Sequence, residues 1–436
     1  MKKTLLILLT IIVLLGIGGY FYFNKTPAAS QPEVLKPIGV VFRDFFPLGD
    51  TTTAPPEDNP IYTPPATSTP DEQTPSSREL LTQLSKFPVV GYGITEKEKE
   101  VVADPTLSVA TTTTAKPPAI IKVPVIRYVE KATGHIFERE IPTGTETEIS
   151  NTTIPGSQEV IVGKSTVIYR YIGTDGKEIT SFAGILPIPE SDGSLPVMKG
   201  TFLTPNIMSM SASPDLTKIF SLVSETAGVT GSISAFDGTS KTTPFLSRYH
   251  EWLGDWNSTD FITLTTKASG LAPGFAYLLD ISHKNFSRLL GDIPGLTTST
   301  SPDNKLVLYS VSGNKTFEMD LFDIASQQKK VVVKVSLPEK CVWSRASKWF
   351  ICAVPEGILP AVYPDAWYQG KVNFSDSIWK TDVTANPVSN EVYNLFKEKR
   401  LSVDAVQLGL SADERYLYFI NKTDGTLWQL ELNQIN

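Results

Sequence analysis

The chain has 436 residues, of which 41% are apolar and 10% aromatic, and carries a net charge of −7. An acidic chain lacks the basic surface that phosphate backbones attract, so nucleic acid is excluded as a partner. Only three histidines occur, His135, His250 and His283, far apart, and only two cysteines, so neither a metal centre nor a cofactor is expected.

Lys2 and Lys3 precede an uncharged run from Thr4 to Asn24. About 20 apolar residues at 1.5 Å each span roughly 30 Å, the hydrocarbon thickness of a bilayer. Tyr20 to Phe23 supply an aromatic exit belt, and the lysines ahead of the run place the N-terminus in the cytoplasm. The expectation is a cytoplasmic tail at 1–3 and a retained transmembrane helix at 4–24, with the rest extracytoplasmic in a single-pass cell-membrane protein. A cleaved signal peptide, with Ala28 and Ser30 at the cleavage site, is the alternative.

Residues 25–78 read as a juxtamembrane segment and a linker. From Thr51 to Ser77, 17 of 27 residues are Pro, Ser or Thr, which predicts a disordered stalk. Ser76 and Glu79 have capping-box spacing ahead of Leu80, Leu81 and Leu84, which predicts a short helix ending before Pro88. Beyond it, only residues 390–400 carry a helical pattern. Elsewhere short β-branched and aromatic runs alternate with Gly, Pro, Asn, Asp and Ser, the pattern of an all-β domain over 79–436.

A repeat runs through that domain. SPDLTKIFSLV begins at Ser213, STDFITL follows Asn257, SPDNKLVLYS begins at Ser301, SRASKWFICAV at Ser344 and SADERYLYFI at Ser411. The register marks 213, 257, 301 and 344 recur every 43 or 44 residues. A later strand in each unit ends on an acidic residue, at Asp237, Asp280, Asp323, Asp382 and Glu431. A period near 43 with about four strands per unit is that of propeller blades, which must stack to bury both sheet faces. Counting back through residues 87–207 predicts seven blades, with six or eight as alternatives. The last blade lacks a strand, and Phe87 to Ile94 is the expected donor, because an open edge invites aggregation.

SPDLTK, SPDNK and the degenerate SADER resemble the TolB-type and WD40-like propeller repeats, over roughly residues 208–432 and more weakly 87–207. The resemblance implies a Ser-Pro-Asp turn between the first two strands of a blade. It implies a fold and not a function.

Few motifs carry chemistry. Gly163-Lys164-Ser165 leads into the strand-like VIYRY rather than a helix, so it has no aligned amides for a phosphate. The SPD aspartates suit backbone hydrogen bonding in tight turns. No G-x-S-x-G elbow occurs, whereas a carboxylate pair for glycan cleavage would be spatial and invisible in sequence. Cys341 and Cys352 flank a turn at 344–348. A hairpin centred between Ala346 and Ser347 would set Trp343 opposite Phe350 and Cys341 opposite Cys352, at disulfide distance.

The insertion at 357–383 concentrates Tyr363, Trp367, Tyr368, Phe374 and Trp379. Trp379 is expected in the core. Tyr363, Asp365, Trp367 and Tyr368 are the candidate binding residues, offering stacking surface and a hydrogen-bond acceptor at a blade rim. The competing reading is a lid that packs its own aromatics. The expected function is non-catalytic: a scaffold that binds an envelope protein or polysaccharide. The alternative is a propeller hydrolase or lyase acting on cell-surface glycans.

Overall fold

The computed structural model describes residues 80–101, 119–173, 176, 178–188 and 193–432. The expected transmembrane helix at 4–24 and the linker at 25–78 lie outside them. Among the described residues no helix is long and apolar enough to cross a membrane.

The chain opens with β1 (Leu81–Gln83). Blade one then takes β2 (Val89–Val101), β3 (Ala119–Glu130), β4 (Ile136–Glu140) and β5 (Glu146–Ser150). Blade two takes β6 (Ser157–Val162), β7 (Thr166–Ile172), β8 (Ile179–Ile185) and β9 (Gly200–Phe202). Blade three is β10 (Ile207–Ala212), β11 (Lys218–Glu225), β12 (Gly228–Ala235) and β13 (Thr242–Ser247). Blade four is β14 (Trp252–Asp255), β15 (Phe261–Thr266), β16 (Pro273–Asp280) and β17 (Phe286–Pro294). Blade five is β18 (Thr298–Thr300), β19 (Leu306–Gly313), β20 (Thr316–Asp323) and β21 (Gln328–Val331). Blade six is β22 (Cys341–Trp343), β23 (Trp349–Pro355), β24 (Asp376–Asp382) and β25 (Val388–Tyr393). Blade seven is β26 (Ala405–Leu410), β27 (Tyr416–Asn421), β28 (Leu427–Glu431) and, outermost, β1. The protein is an all-β, seven-bladed propeller, with every blade an antiparallel four-stranded sheet.

The repeat marks fall on equivalent turns between the first and second strands of blades three to seven. In the two SPD turns and the degenerate SAD turn the serine hydroxyl donates to the aspartate two residues on, at 2.5 Å for Ser213–Asp215, 2.7 Å for Ser301–Asp303 and 2.6 Å for Ser411–Asp413. The same serine oxygen accepts from the amide five residues on, Lys218, Leu306 and Tyr416. The residue after each aspartate enters the left-handed region, at φ 56° for Leu216 and Asn304 and 57° for Glu414. Each aspartate also accepts from the backbone amide two residues on, Thr217, Lys305 and Arg415, at 3.2 Å, the role such residues take in tight turns. In blade six Trp343 faces Phe350 and Cys341 faces Cys352 across β22 and β23, with the two sulfurs bonded at 2.03 Å.

Blade faces bury alternating strand residues against the neighbouring blade. One such layer joins Phe220 and Leu222 of blade three to Trp252, Ile262 and Leu264 of blade four. Another joins Ile351 and Ile378 of blade six to Leu417, Phe419 and Leu430 of blade seven, with Leu81 among them. Polar bonds knit blades together nearer the axis. The Thr263 and Thr300 hydroxyls lie 2.7 Å apart, and Thr265 and Thr298 lie 2.8 Å apart, both between blades four and five.

Ring closure corrects two expectations. The strand that completes blade seven is β1, with Leu81 opposite Leu430 and Gln83 opposite Trp428. Phe87 to Ile94 instead leads into β2, the innermost strand of blade one. The expected helix after Ser76 is also absent from the described residues, since Leu81–Gln83 is extended. A local capping signal is worth about 1 kcal/mol. An unfilled blade edge leaves a row of amides and carbonyls unpaired, at a larger cost. The Leu84 amide donates to the Leu427 carbonyl at 2.8 Å, and the Glu431 amide to the Leu80 carbonyl at 2.9 Å. The helical pattern at 390–400 does yield a helix, α2 (Leu395–Lys399), whose N-cap Asn394 accepts from the Lys397 amide at 2.9 Å. It follows α1 (Asp365–Tyr368) in chain order.

Leu81→Ala should cost about 3 kcal/mol, as a fully buried leucine at a well-packed seam does. Phe87→Ala, at a ring 61% exposed, should stay within about 0.5 kcal/mol. Urea melts of the two variants check the assignment, and the reverse order would return closure to 87–94.

Candidate functional site

The insertion of blade six leaves the sheet after Pro355 and re-enters it at Asp376. Its aromatics close on themselves. Tyr363, Trp367 and Phe374 are buried with Phe317 and Leu337. The Tyr363 and Phe374 rings stack at 5.9 Å, and Trp367 and Phe374 at 6.0 Å. Phe317 of blade five meets Tyr363 edge-on at 4.9 Å. Trp379 lies half-buried on β24, with its indole N–H on the Ser377 hydroxyl.

Of the four candidate binding residues, the structure leaves one facing solvent. Tyr363 is fully buried and Trp367 is 5% exposed, so neither presents a stacking face. Asp365 is already engaged, accepting from the Ser269 hydroxyl at 2.8 Å and the Gly270 amide at 2.7 Å. These bonds pin α1 to the β15–β16 loop of blade four. Tyr368 is 42% exposed, and its hydroxyl donates to Glu339 Oε1 at 2.6 Å. The expected exposed aromatic platform is thus corrected to an anchored lid. Aromatic and apolar residues crowded into a short insertion bury more surface by packing on one another than by facing water.

Tyr368 and Glu339 stand at a cavity of about 630 Å³ on the propeller axis. Its wall comes from the innermost strands of six blades, β6, β10, β14, β18, β22 and β26. Hydroxyls dominate the polar lining, among them Ser211, Thr298 and Thr300. Three carboxylates join them, Glu159, Asp255 and Glu339, and none of the lining residues is Lys, Arg or His. Glu159 is neutralised by Arg170, to which it is directly bonded. Asp255 keeps one neutral partner, accepting from the Asn257 amide.

Asp255 and Glu339 are open to channel water but enclosed by protein around the ring. Enclosure pushes the Asp255 carboxyl up to about 6, opposed by the Asn257 hydrogen bond. It pushes Glu339 up to about 7, opposed by the Tyr368 hydrogen bond and by the charges of Lys340 and Lys422. No histidine lines the cavity, and among the described residues no cluster of three His, Cys, Asp or Glu is placed to hold a metal. The arrangement can accept hydrogen bonds and cationic groups, and it can exchange protons near neutrality.

Behind the lid lies a second set of charges, wholly buried. Lys340, just before β22, touches both Asp376 at the start of β24 and Asp404 just before β26. None of Asp255, Glu339, Lys340, Asp376 and Asp404 stands out in the sequence. Asp255 belongs to blade four, Glu339, Lys340 and Asp376 to blade six, and Asp404 precedes blade seven; they share no motif, so only the repeat register, extended to inner-strand positions, could have brought Asp255 to notice.

No known family model matches the chain, and no curated protein matches it in sequence. Solved structures with a similar fold exist. Oligogalacturonate lyase from Vibrio parahaemolyticus is 7% identical, over 79% of this chain and 99% of that one, with a TM-score of 0.46. TolB from Acinetobacter baumannii is 11% identical, over 78% and 80%, at 0.39. A chain of the mitotic checkpoint complex is 8% identical, over 71% and 88%, at 0.44. The likeness is one of fold, and it spans enzymes and non-enzymes alike.

Trp367→Ala should destabilise the domain by about 3–5 kcal/mol, the range for truncating a buried tryptophan. Tyr368→Ala should cost much less, because its ring is partly in water. Denaturant unfolding separates the two, and an unchanged midpoint for Trp367→Ala would restore the exposed-platform reading.

Proposed function

We propose that the protein is a non-catalytic binding propeller of the cell envelope, held to the membrane by residues 4–24 and carried on the linker at 25–78. The support for the anchor is the length and charge flanks of the apolar run in the sequence. The support for binding is the axial cavity. Its volume of about 630 Å³ suits a side chain or a short chain segment, and its lining converges from six blades. The carboxylates of Asp255 and Glu339 are charges of its lining that no lining cation faces.

That charge favours one of the two ligand classes. An acidic polysaccharide would set its own anions against Asp255 and Glu339 in an enclosed space, where like charges repel strongly. A protein partner that inserts a lysine or arginine gains both charge complementarity and hydroxyl acceptors along the wall. The reading is therefore a protein-binding module that receives a basic side chain on the axis. The opposing reading, a glycan hydrolase or lyase, draws on the same two carboxyls, whose proton affinities near neutrality suit acid–base work.

Because enclosure by the surrounding protein raises both pKa values, each group is neutral at low pH and anionic above its own value. Capture of a cation should strengthen as pH rises from about 5 to about 8, through about 6 for Asp255 and about 7 for Glu339. The test uses the full chain extracted from membranes, with an arginine-rich peptide as the probe in calorimetric titrations. Asp255→Asn with Glu339→Gln should weaken binding at pH ~8 by about tenfold or more, roughly 1.4 kcal/mol. The exposed control Asp260→Asn should change nothing. Equal binding by all three proteins would sink the cavity as the site. New reducing ends or unsaturated sugars from envelope glycans, lost in Glu339→Gln, would establish the enzyme instead. Recovery of the chain solely in the soluble fraction would remove the anchor.

A further inference from the structure

The buried charges behind the lid form a cluster of one amine and two carboxyls rather than a simple ion pair. Lys340, Asp376 and Asp404 are each 0% exposed. Lys340 Nζ lies 2.9 Å from Asp376 Oδ2 and in direct contact with Asp404 Oδ1. The indole of Trp367 and the ring of Phe374 flank the amine, with centroids 5.3 and 5.2 Å away. The two carboxyls are held differently. Asp404 Oδ2 accepts from the Trp367 indole N–H at 2.8 Å and from the Phe374 amide at 3.1 Å. Asp376 Oδ2 also accepts from the Ala405 amide at 2.7 Å, while its Oδ1 is buried with no partner.

We propose that Lys340 and Asp404 condense spontaneously to an isopeptide bond, with the Asp376 carboxyl relaying the protons. The Lys340 ammonium gives one proton to Asp376 and becomes a nucleophilic amine. Its lone pair attacks Asp404 Cγ, forming the N–C bond, and the carbonyl electron pair moves onto Oδ2. That oxygen is already held by two N–H donors, the arrangement that stabilises a tetrahedral oxyanion. Asp376 passes the first proton, then a second from the attacking nitrogen, to Oδ1. The Cγ–Oδ1 bond breaks and Oδ1 leaves as water. The ammonium loses two protons, the water carries both, and Asp376 ends as it began, so no oxidant or activating group is required.

The surroundings favour this direction. Taking an ammonium and a carboxylate out of water is costly, and an amide carries neither charge. The product keeps its hydrogen bonds, with the new carbonyl on Trp367 and Phe374 and the new N–H facing Asp376. Burial, which outweighs the neighbouring Lys340 charge, pushes the Asp376 carboxyl up to about 6, a value suited to taking and returning protons. Lys422, 3.9 Å from Asp404 Oδ2, adds a positive charge beside the developing oxyanion. Contact between amine and carboxyl in a fixed geometry supplies the effective concentration that free side chains lack. The bond would tie the entrance of blade six to the inner strand of blade seven, across the seam next to the one β1 closes.

Mass spectrometry of the wild-type full chain, after reduction of the disulfide, tests the bond. The expected mass is that of the mature sequence less one water. Proteolysis should give a branched peptide joining the segments around Lys340 and Asp404, in place of two linear ones. Asp376→Asn, whose amide cannot relay protons in this way, should show the full mass while retaining the circular dichroism of the wild type. Linear peptides bearing free Lys340 and Asp404 in the wild type would overturn the proposal and leave an ion cluster. A water lost elsewhere, or a branch at Asp376, would overturn it equally. If Asp376→Asn fails to fold, the wild-type peptides alone still separate the isopeptide from the ion cluster.

Discussion

A propeller blade cannot bury both of its faces alone, and everything else in this protein follows from that constraint. Each four-stranded sheet is apolar on two sides, so it is stable only between two neighbours. Seven such sheets must then form a closed ring, and the ring is only as sound as its last seam. Here the chain closes that seam with three residues, Leu81–Gln83, laid on the outer edge of blade seven. Leu81 is 2% exposed and joins the layer between blades six and seven. At the same seam the Leu427 amide reaches the Ser85 hydroxyl across 342 positions of chain. Loop-closure entropy opposes such a pairing, and burial must outweigh it.

Closure also creates the site. The axial cavity belongs to no blade. It exists because six inner strands converge, with serine and threonine hydroxyls of β10 and β18 forming much of its polar wall. Asp255 and Glu339 acquire their raised pKa values from that convergence, since protein packed around the channel leaves less water to solvate the charged forms than an isolated blade would. The insertion of blade six then decorates one mouth. Asp365 ties it to blade four and Trp367 to Asp404, so the lid is braced at two points and only Tyr368 remains at the cavity.

How much of this was legible in the sequence depends on distance along the chain. The SPD turns are local devices: a serine, an aspartate and a left-handed residue within five positions, repeated at one period. They revealed the blades directly. The register around Ala346 and Ser347 was local too, and it set Trp343 opposite Phe350. The closing strand was not legible, because Leu81–Gln83 is short and sits within a good helix-capping pattern that only a partner from the far end of the chain overrides. The insertion misled for a related reason. Clustered aromatics can read as a platform or as a lid, and the choice rests on Phe317 and Leu337, which lie on another blade and before β22. The charged groups were the least legible of all. Lys340, Asp376 and Asp404 are spaced by tens of residues and share no motif, yet they meet in a fully buried cluster.

Amide hydrogen exchange on the full wild-type chain tests the closed ring most directly. The Leu84 amide reports on the seam from one side and the Glu431 amide from the other, because each bonds across it. A ring closed by β1 predicts that peptides covering 80–86 and 427–432 exchange slowly and together, at the rate of the blade interior around 416–421. Exchange of 80–86 at the rate of an unstructured segment, with 427–432 still protected, would contradict closure by β1 and with it the enclosed axial site.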